Sequence, residues 1–522
     1  MSMLVESPAI GEEFLDRENE IRQIMEYVRR GEHIILIGHR KVGKTSILFK
    51  IGEEFSKEGV FFIYLYIPES PNVELIANEF LRSVLKSLSD LPLTVDIKDA
   101  VRIIAKKFPK IASETLSLVE LNKDESIFRD ALLLLDQMLN KLGRKAILVL
   151  DEFQNIANAS LAFLDYLRQS MWSIRRITII LCGSMIRMID RILSRPSMPQ
   201  GLKRIKIEPF DYPTAKDFMI NLSKKAISEP IMALIYAMTG GMPFHIKVIM
   251  KELNSLGVEK ISWWAVRRAI LEELMSDSGV LYNYYSAMEE KLTSLSALYL
   301  EILYAIATGH RRLSDIANFL NKSPQEVNYY IRRLREMEVI DNDNVIIDEM
   351  FELWLETAWP ILRKAPIPEL KRRRELFLQA IDRIIEQYKS TLGQAIEIIM
   401  YELVKKMHGE VIEREPMPNP KQVIKNATIN DEEIDILAIR NNEAWVIEVT
   451  TSPITKGDIV KLEEKSHLLS GYKKIHKILV ATSTISHEAL QLALQLGIRI
   501  WTKHKMRKIF RYYKILIPPQ FF

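Results

Sequence analysis

Short runs of consecutive apolar residues punctuate the N-terminal part of the chain: "HIILIG" (33–38), "VFFIYLYI" (60–67), "KAILVLDE" (145–152) and "RITIILCGS" (176–184). Such runs predict strands buried on both faces, and the longer stretches of helical period between them predict covering helices. From Glu20 to about Asp211 this alternation implies a mostly parallel sheet flanked by helices. After "IEPFDYP" (207–213) the strand signal stops, and residues from about 213 to 275 read as helices broken at "TGGMP" (239–243). A helical stretch then leads to a compact unit at about 295–350.

The segment "LRKAPIPELKRRREL" (362–376) carries two prolines and a basic run, which reads as a linker. Beyond it the helical "GQAIEIIMYELVKKMHG" (393–409) precedes strand-like "EEIDILAI" (432–439) and "AWVIEVT" (444–450). Another helix and the strand "KILVAT" (477–482) complete a second α/β domain. The expected boundaries are 1–210, 211–280, 281–361, a linker at 362–379, and 380–522.

Composition narrows this picture without redrawing it. With 522 residues, 48% hydrophobic and 27% charged, the chain suits several globular domains with full cores. The net charge of +4 places any basic surface locally. The one cysteine, Cys182, excludes an internal disulfide framework and fits a reducing cytoplasm. The apolar runs fall short of the ~20 residues that span a bilayer, and no signal-like segment opens the chain. A cytoplasmic protein without a membrane partner is therefore expected.

Residues Gly38 to Thr45, "GHRKVGKT", match G-x-x-x-x-G-K-[ST] between a predicted strand and a predicted helix. That context aims backbone N–H groups and a helix N-terminus at phosphates. Gly38, Gly43, Lys44, Thr45 and Ser46 are the expected nucleotide contacts, with Lys44 on the β- and γ-phosphates and Thr45 on Mg²⁺. In "ILVLDEF" an apolar strand delivers Asp151 toward Mg²⁺ and Glu152 toward the attacking water. Ser184 ends the next strand, either as a contact to the γ-phosphate or water, or as a strand-end cap.

"FLDRENEI" (14–21), the phosphate loop, "DEFQ", "LCGS" and "TGGMPFHI" (239–246) occur in that order. Together they resemble the archaeal ATPase family within the AAA+/STAND P-loop NTPases, over about residues 10–280. The resemblance implies an AAA+ core with a helical lid. It implies Arg17 and Glu18 beside the base, and Gly240, Gly241 and Pro243 on a lid element near the adenine and sugar. From the residues alone, "GGMP" also reads as a helix C-cap followed by a stop. Arginine fingers are common in such proteins, and Arg187, Arg191, Arg195 and Arg204 are the candidates.

"RRLSDIANFLNKSPQEVNYYIRRLREMEVIDNDNVIID" (311–348) resembles a winged helix-turn-helix. Leu313, Ile316, Ala317 and Leu320 share one face of a helix with Ser314 as N-cap; Ser323 and Glu326 form a capping box on the next. Val327, Tyr330, Ile331 and Leu334 form its buried stripe, and "DNDN" (341–344) reads as a hairpin wing. Gln325, Asn328, Tyr329, Arg332, Arg333 and Arg335 face away, and Asn328, Tyr329, Arg332 and Arg333 are the expected DNA contacts. A protein-packing role for the module stands beside that reading.

Glu397 on a helix, Asp435 on a strand and Glu448 on the next strand resemble the carboxylates of the PD-(D/E)XK nuclease superfamily, over about residues 380–505. The resemblance implies a restriction-endonuclease-like fold holding a second Mg²⁺ or Mn²⁺ that activates water against phosphorus. One residue departs from the pattern: Thr450 stands where the superfamily has lysine. Lys456, Lys461 and Lys465 follow closely and offer a replacement charge. The expectation is an ATP- and Mg²⁺-dependent, DNA-coupled ATPase, with DNA cleavage if a lysine takes over. Its alternative is a STAND-type switch that binds partners or DNA without cutting. A homo-oligomer or a protein partner fits either.

Overall fold

The computed structural model describes residues 17–69, 71–72, 76, 78–84, 109, 113, 126–158, 161–194, 201–363, 369–391, 396–430, 432–516 and 521. Phe14 to Asp16, Arg195 and residues 364–368 and 393–395 of the segments singled out above lie outside them. The chain divides into two compact units, residues 1–209 and 210–522.

The first unit is built on five parallel strands: β1 (Ile34–Ile37), β2 (Phe61–Tyr66), β3 (Ala146–Asp151), β4 (Ile177–Gly183) and β5 (Lys203–Lys206). Their order is β2-β3-β4-β1-β5. Every residue of β1, β3 and β4 is buried, which is why these strands read as unbroken apolar runs. At the edge, β5 ("KRIK") buries only Ile205. Helices α1 (Glu18–Arg29), α2 (Lys44–Lys57), α3 (Ile127–Leu142), α4 (Leu161–Ser173) and α5 (Ile186–Leu193) are also described. Because β4 lies between β3 and β1, the chain leaving β1 crosses over it, and a crevice forms at the carboxyl ends of those strands. The phosphate loop and the acidic pair both emerge there.

The second unit opens with α6 (Tyr212–Leu222), α7 (Glu229–Thr239), α8 (Pro243–Ser255), α9 (Trp263–Met275) and α10 (Val280–Leu295). Then come α11 (Leu298–Ala307), α12 (Leu313–Phe319), α13 (Pro324–Glu336), α14 (Glu349–Thr357) and α15 (Trp359–Arg363). The expected linker is helical from residue 370 on: α16 (Leu370–Thr391) begins with the basic run and packs on α9, where Arg267 pairs with Asp382 at 2.7 Å. Its buried stripe of Phe377, Ile381, Ile385 and Tyr388 explains why the run does not stay a loop.

A separate sheet follows, ordered β12-β11-β10-β9-β8. It contains β8 (Gln422–Ile429), β9 (Glu432–Arg440), β10 (Glu443–Thr450), β11 (Lys474–Ala481) and β12 (Arg499–Trp501). The first three are antiparallel neighbours, whereas β10, β11 and β12 run parallel. Helices α17 (Ile396–Lys405), α18 (Lys456–His467), α19 (His487–Gln495) and α20 (Lys503–Tyr512) accompany it, with a two-residue hairpin of β6 (Val411–Ile412) and β7 (Glu415–Pro416). Ala444, Val446, Leu479 and Ala481 share one core with Ile459 and Leu462 of α18.

Candidate functional site

The phosphate loop takes backbone conformations that its glycines and one lysine accept. Gly43 has φ 99° and Lys41 φ 66°. At Gly38 a Cβ would collide with the carbonyl of Ile207, so only glycine lets β1 leave the sheet beside the segment after β5. Lys44 opens α2 almost completely buried, and its ammonium donates to the carbonyls of Gly38 (2.8 Å) and His39 (2.9 Å). Thr45 Oγ1 donates to Asp151 Oδ2 at 3.1 Å, and Ser46 follows on the same turn. The loop and the third strand, 106 residues apart in sequence, therefore meet side chain to side chain.

Asp151 accepts two further bonds, from the Tyr64 hydroxyl to Oδ2 (2.6 Å) and from the Glu152 N–H to Oδ1 (2.9 Å). Glu152 sits at φ 55°, a left-handed conformation that ends the strand and turns its carboxylate sideways. There its Oε2 accepts from Ser184 Oγ (2.8 Å) and from Gln154 Nε2. Ser184 is thus a partner of Glu152, while the N-cap of α5 is Met185. Gly183 leaves the space that the Gln154 amide fills. The neighbouring Cys182 thiol is pushed well up by burial and then by the Asp151 charge, so it stays a neutral packing group.

Arg17 (φ 84°) pairs with Glu20 at 2.9 Å and donates to the Glu208 carbonyl at 2.6 Å, fastening the start of α1 to the segment after β5. Glu18 is exposed on the first turn. Of the finger candidates, Arg204 pairs with Asp190 of α5 at 2.7 Å, and Arg187 and Arg191 lie on that same helix. In the second unit, Gly240 (φ 61°) and Gly241 (φ 73°) make a left-handed turn between α7 and α8, where Pro243 is the first helical residue. A Cβ on Gly240 would strike the Glu349 carboxylate, and one on Gly241 the carbonyl of Phe210.

Around α13 the sequence reading needs several corrections. Arg312, not Ser314, is the N-cap of α12, and Ser314 bonds Asp315 instead. Ser323 caps α13 through Glu326 N–H at 3.2 Å, but the Glu326 carboxylate pairs with Lys322, so the box is half made. Tyr330 is only half-buried, stacked edge-on to Tyr299. Asn328, Tyr329 (58% exposed) and Arg332 do face solvent, and so does Arg333, though paired with Glu336 at 3.0 Å. Arg335 is turned inward to Asn344 at 2.7 Å.

The wing at 341–344 is a tight turn closed by the Ile340–Ile346 bridge. It is not a free edge. Asn344 is buried against the Arg311 backbone, and Asp343 accepts the Glu413 N–H at 3.1 Å. Behind it, Arg311 pairs with Glu352 (2.6 Å), and Arg511 of α20 pairs with Glu349 (2.8 Å).

On the second sheet, Asp435 and Glu448 are brought together. The Asp435 N–H donates to Glu448 Oε1 (3.2 Å), and Asp435 Oδ2 accepts the Val449 N–H (2.7 Å). Lys465 of α18 donates to Glu448 Oε2 at 2.6 Å. Lys456 pairs instead with Glu488 at 3.0 Å. Burial raises both carboxylates above their ordinary values, with Lys465 opposing the shift in each. Glu397 stays a half-buried neighbour on α17 whose charge pushes Asp435 further up. Among the described residues, no three His, Cys, Asp or Glu side chains are grouped to hold a metal ion.

Comparison with known proteins supports part of this reading. Residues 14–249 match a family model described as an ATPase domain predominantly from Archaea. An uncharacterised protein of Methanocaldococcus jannaschii is 23% identical over 486 residues, covering 89% of this chain and 95% of that protein. An uncharacterised ATP-binding protein of the same organism is 25% identical over 270 residues, covering 48% of this chain and 72% of its own length. The solved Walker-type ATPase of Pyrococcus abyssi shares the fold at TM-score 0.51 and 20% identity, over 68% of this chain and 99% of that one. The matches support a P-loop ATPase domain similar to those found predominantly in Archaea. The family match ends at residue 249 and says nothing of the second sheet. Among the described residues, no helix is long and apolar enough to cross a membrane.

Two site residues escaped the sequence reading. Gln154, within "DEFQ", carries no sequence signal of its role, because the Ser184 hydroxyl that shares Glu152 with it lies 30 residues on. Tyr64 leaves only a weak signal, one of two tyrosine hydroxyls, with Tyr66, in the apolar run 60–67.

Proposed function

We propose that the chain is a Mg²⁺-dependent ATPase that couples ATP binding and hydrolysis to DNA binding. In this reading it comprises a P-loop AAA+ core (1–210), a helical lid (211–280), a winged helix-turn-helix (281–361), a connecting segment (362–379) and a nuclease-like domain (380–522). The observation that carries it is the Thr45–Asp151 contact at 3.1 Å, with Glu152 turned onto Ser184 beside it. A hydroxyl that donates to a carboxylate keeps its lone pairs for a hard cation, so these residues fit Mg²⁺ held by Thr45 with Asp151 behind it. When bound, the ion neutralises phosphate charge.

The protein's own groups do the rest. N–H groups of the phosphate loop and of the first turn of α2 cradle the phosphates, and Lys44 exchanges its loop carbonyls for phosphate oxygens. Glu152 orients the water for in-line attack on the γ-phosphorus, steadied by Ser184 and Gln154. Arg17, Gly241 and Pro243 are assigned to the base and sugar side, on the family resemblance. Lys44→Ala should abolish ATP hydrolysis measured by phosphate release; unchanged turnover in that variant would refute the assignment.

A second reading concerns the C-terminal domain and rests on Lys465. Its ammonium lies 2.6 Å from Glu448 with Asp435 alongside, and it would supply the charge that Thr450 lacks. Two half-buried carboxylates suit Mg²⁺ or Mn²⁺ that retains waters, and such an ion would supply an activated water for phosphodiester cleavage. Lys465 would stabilise negative charge developing on phosphorus. Metal-dependent nicking of plasmid DNA, lost in both Glu448→Ala and Lys465→Met, is the expected result. DNA binding without nicking in either metal favours the switch that binds without cutting.

A further inference from the structure

Three N–H and O–H donors converge on the Asp151 carboxylate beside the Cys182 thiol, and one of them comes from a residue no motif contains. Tyr64 stands on β2, the strand beside β3, with its backbone opposite Val149. Its hydroxyl reaches two residues along the neighbouring strand to Asp151 Oδ2, at 2.6 Å. Thr45 shares that oxygen at 3.1 Å, and the Glu152 N–H holds the other at 2.9 Å. An ionised carboxylate offers about four acceptor positions, so three of them are already fixed in direction.

The phenol ring is itself held. It packs on Phe49 of α2, ring centroids 4.9 Å apart, and Phe49 also meets Phe62 of β2 at 6.3 Å. The helix that carries Lys44 and Thr45 therefore steadies the ring that steadies Asp151. Burial, then the Asp151 charge, push the phenol far above its ordinary value, so it remains a donor at every working pH.

We propose that Tyr64 is a positioning residue of the nucleotide site. Its hydroxyl locks the Asp151 carboxylate in the rotation that presents its remaining lone pair to the metal–nucleotide complex. Without that bond Oδ2 is held by Thr45 alone and Oδ1 by the Glu152 N–H, and the carboxylate is freer to turn away from the metal–nucleotide complex. The inference rests on the ATPase reading above and adds a residue to it. A buried tyrosine needs a hydrogen-bond partner in any fold, so the test must separate positioning from mere packing.

Tyr64→Phe removes one oxygen and keeps the ring on Phe49. The probe is a fluorescent ATP analogue, titrated onto the full chain first in EDTA and then at increasing Mg²⁺. The Mg²⁺ concentration giving half-maximal tightening should rise about five- to tenfold, since a hydrogen bond to a charged group is lost. Affinity in EDTA should stay within about twofold, because the loop and Lys44 are untouched. An unchanged Mg²⁺ midpoint overturns the proposal, and so does an equal loss of affinity with and without metal, which marks a packing role. If the unmodified chain binds no nucleotide that Mg²⁺ tightens, the ATPase reading falls and Tyr64 with it. A shift confined to the variant's metal dependence supports both.

Discussion

Glu152 holds a backbone conformation that side-chain-bearing residues avoid, at a cost of about 1–3 kcal/mol. That turn aims the carboxylate at Ser184 and Gln154 instead of continuing along the strand, so the charge is aimed before any nucleotide arrives. Glu152→Gln should keep nucleotide binding and lower kcat by roughly 10²–10⁴-fold, the usual worth of a positioned base. Rapid-quench single turnovers check this, and a wild-type rate would remove Glu152 from the chemistry. At this scale the sequence was readable where one residue must satisfy one local demand. Gly43 needs a left-handed backbone, and Asp151 is an acid closing an apolar run. It was silent where partners come from afar: Tyr64 meets Asp151 across 87 positions. The choice among three lysines rested on the phase of α18 against β10. That phase brings Lys465 onto Glu448 and leaves Lys456 with Glu488.

Among the elements, α13 and its wing have different fates. The helix keeps Asn328, Tyr329 and Arg332 in solvent, whereas the wing is built into its own unit by Asn344 and Asp343. In the proposed function, DNA contact through this module would fall to the helix face. Arg332→Ala should weaken binding to a short duplex and reduce the slope of log K against log salt by about 1, one released counterion. An identical slope would assign the helix to protein contacts. Arg333 should matter less, since Glu336 already neutralises it. Periodicity made the buried stripe of α13 legible through Val327, Ile331 and Leu334. Caps were less legible: Ser314 is a good N-cap by composition, but the chain enters α12 two residues earlier. The wing's burial had no local signature, because its partners are Arg311, 33 residues before Asn344, and Glu413 in the β6–β7 hairpin, 70 residues after Asp343.

Across the second unit, charge fastens the last helix to the middle of the chain. Arg311 is 2% exposed on its side chain and pairs with Glu352, which also lies near Arg511. Removing Arg311 takes away the nearest partner of the buried Glu352 carboxylate and leaves the longer Arg511 contact at 3.6 Å, so Arg311→Ala should destabilise this unit by about 3 kcal/mol, read by denaturant unfolding. Burial works to raise Glu352, but Arg311, Arg511 and Lys514 outweigh it and hold the carboxyl below its ordinary 4.5. A depressed folded value means stability that is complete above pH 4.5 and lost as pH falls through the lower value. Glu349 beside it is raised by burial and has the opposite sign, so the comparison is wild type against Glu352→Gln. The variant should show a flatter acid limb in thermal unfolding below pH 4.5. A limb as steep as that of the wild type would place the acid sensitivity elsewhere. The parallel order of the first sheet followed from its alternation of strand and helix. The fastening of α20 onto α14 did not, since it joins positions more than 150 apart, as Arg511 to Glu349 shows.

The place of α20 also bears on how the protein is made. Arg511 grips Glu349, Lys514 reaches the Ala307 carbonyl, and Lys508 meets Glu413. A ribosome that has released the first unit and even the whole of α13 has not yet supplied these cations. Until residues 503–514 emerge, Glu349 and Glu356 stand without their arginine and lysine partners, so this part of the second unit completes its ion pairs only after α20 has left the ribosome, whereas the first unit does not depend on them.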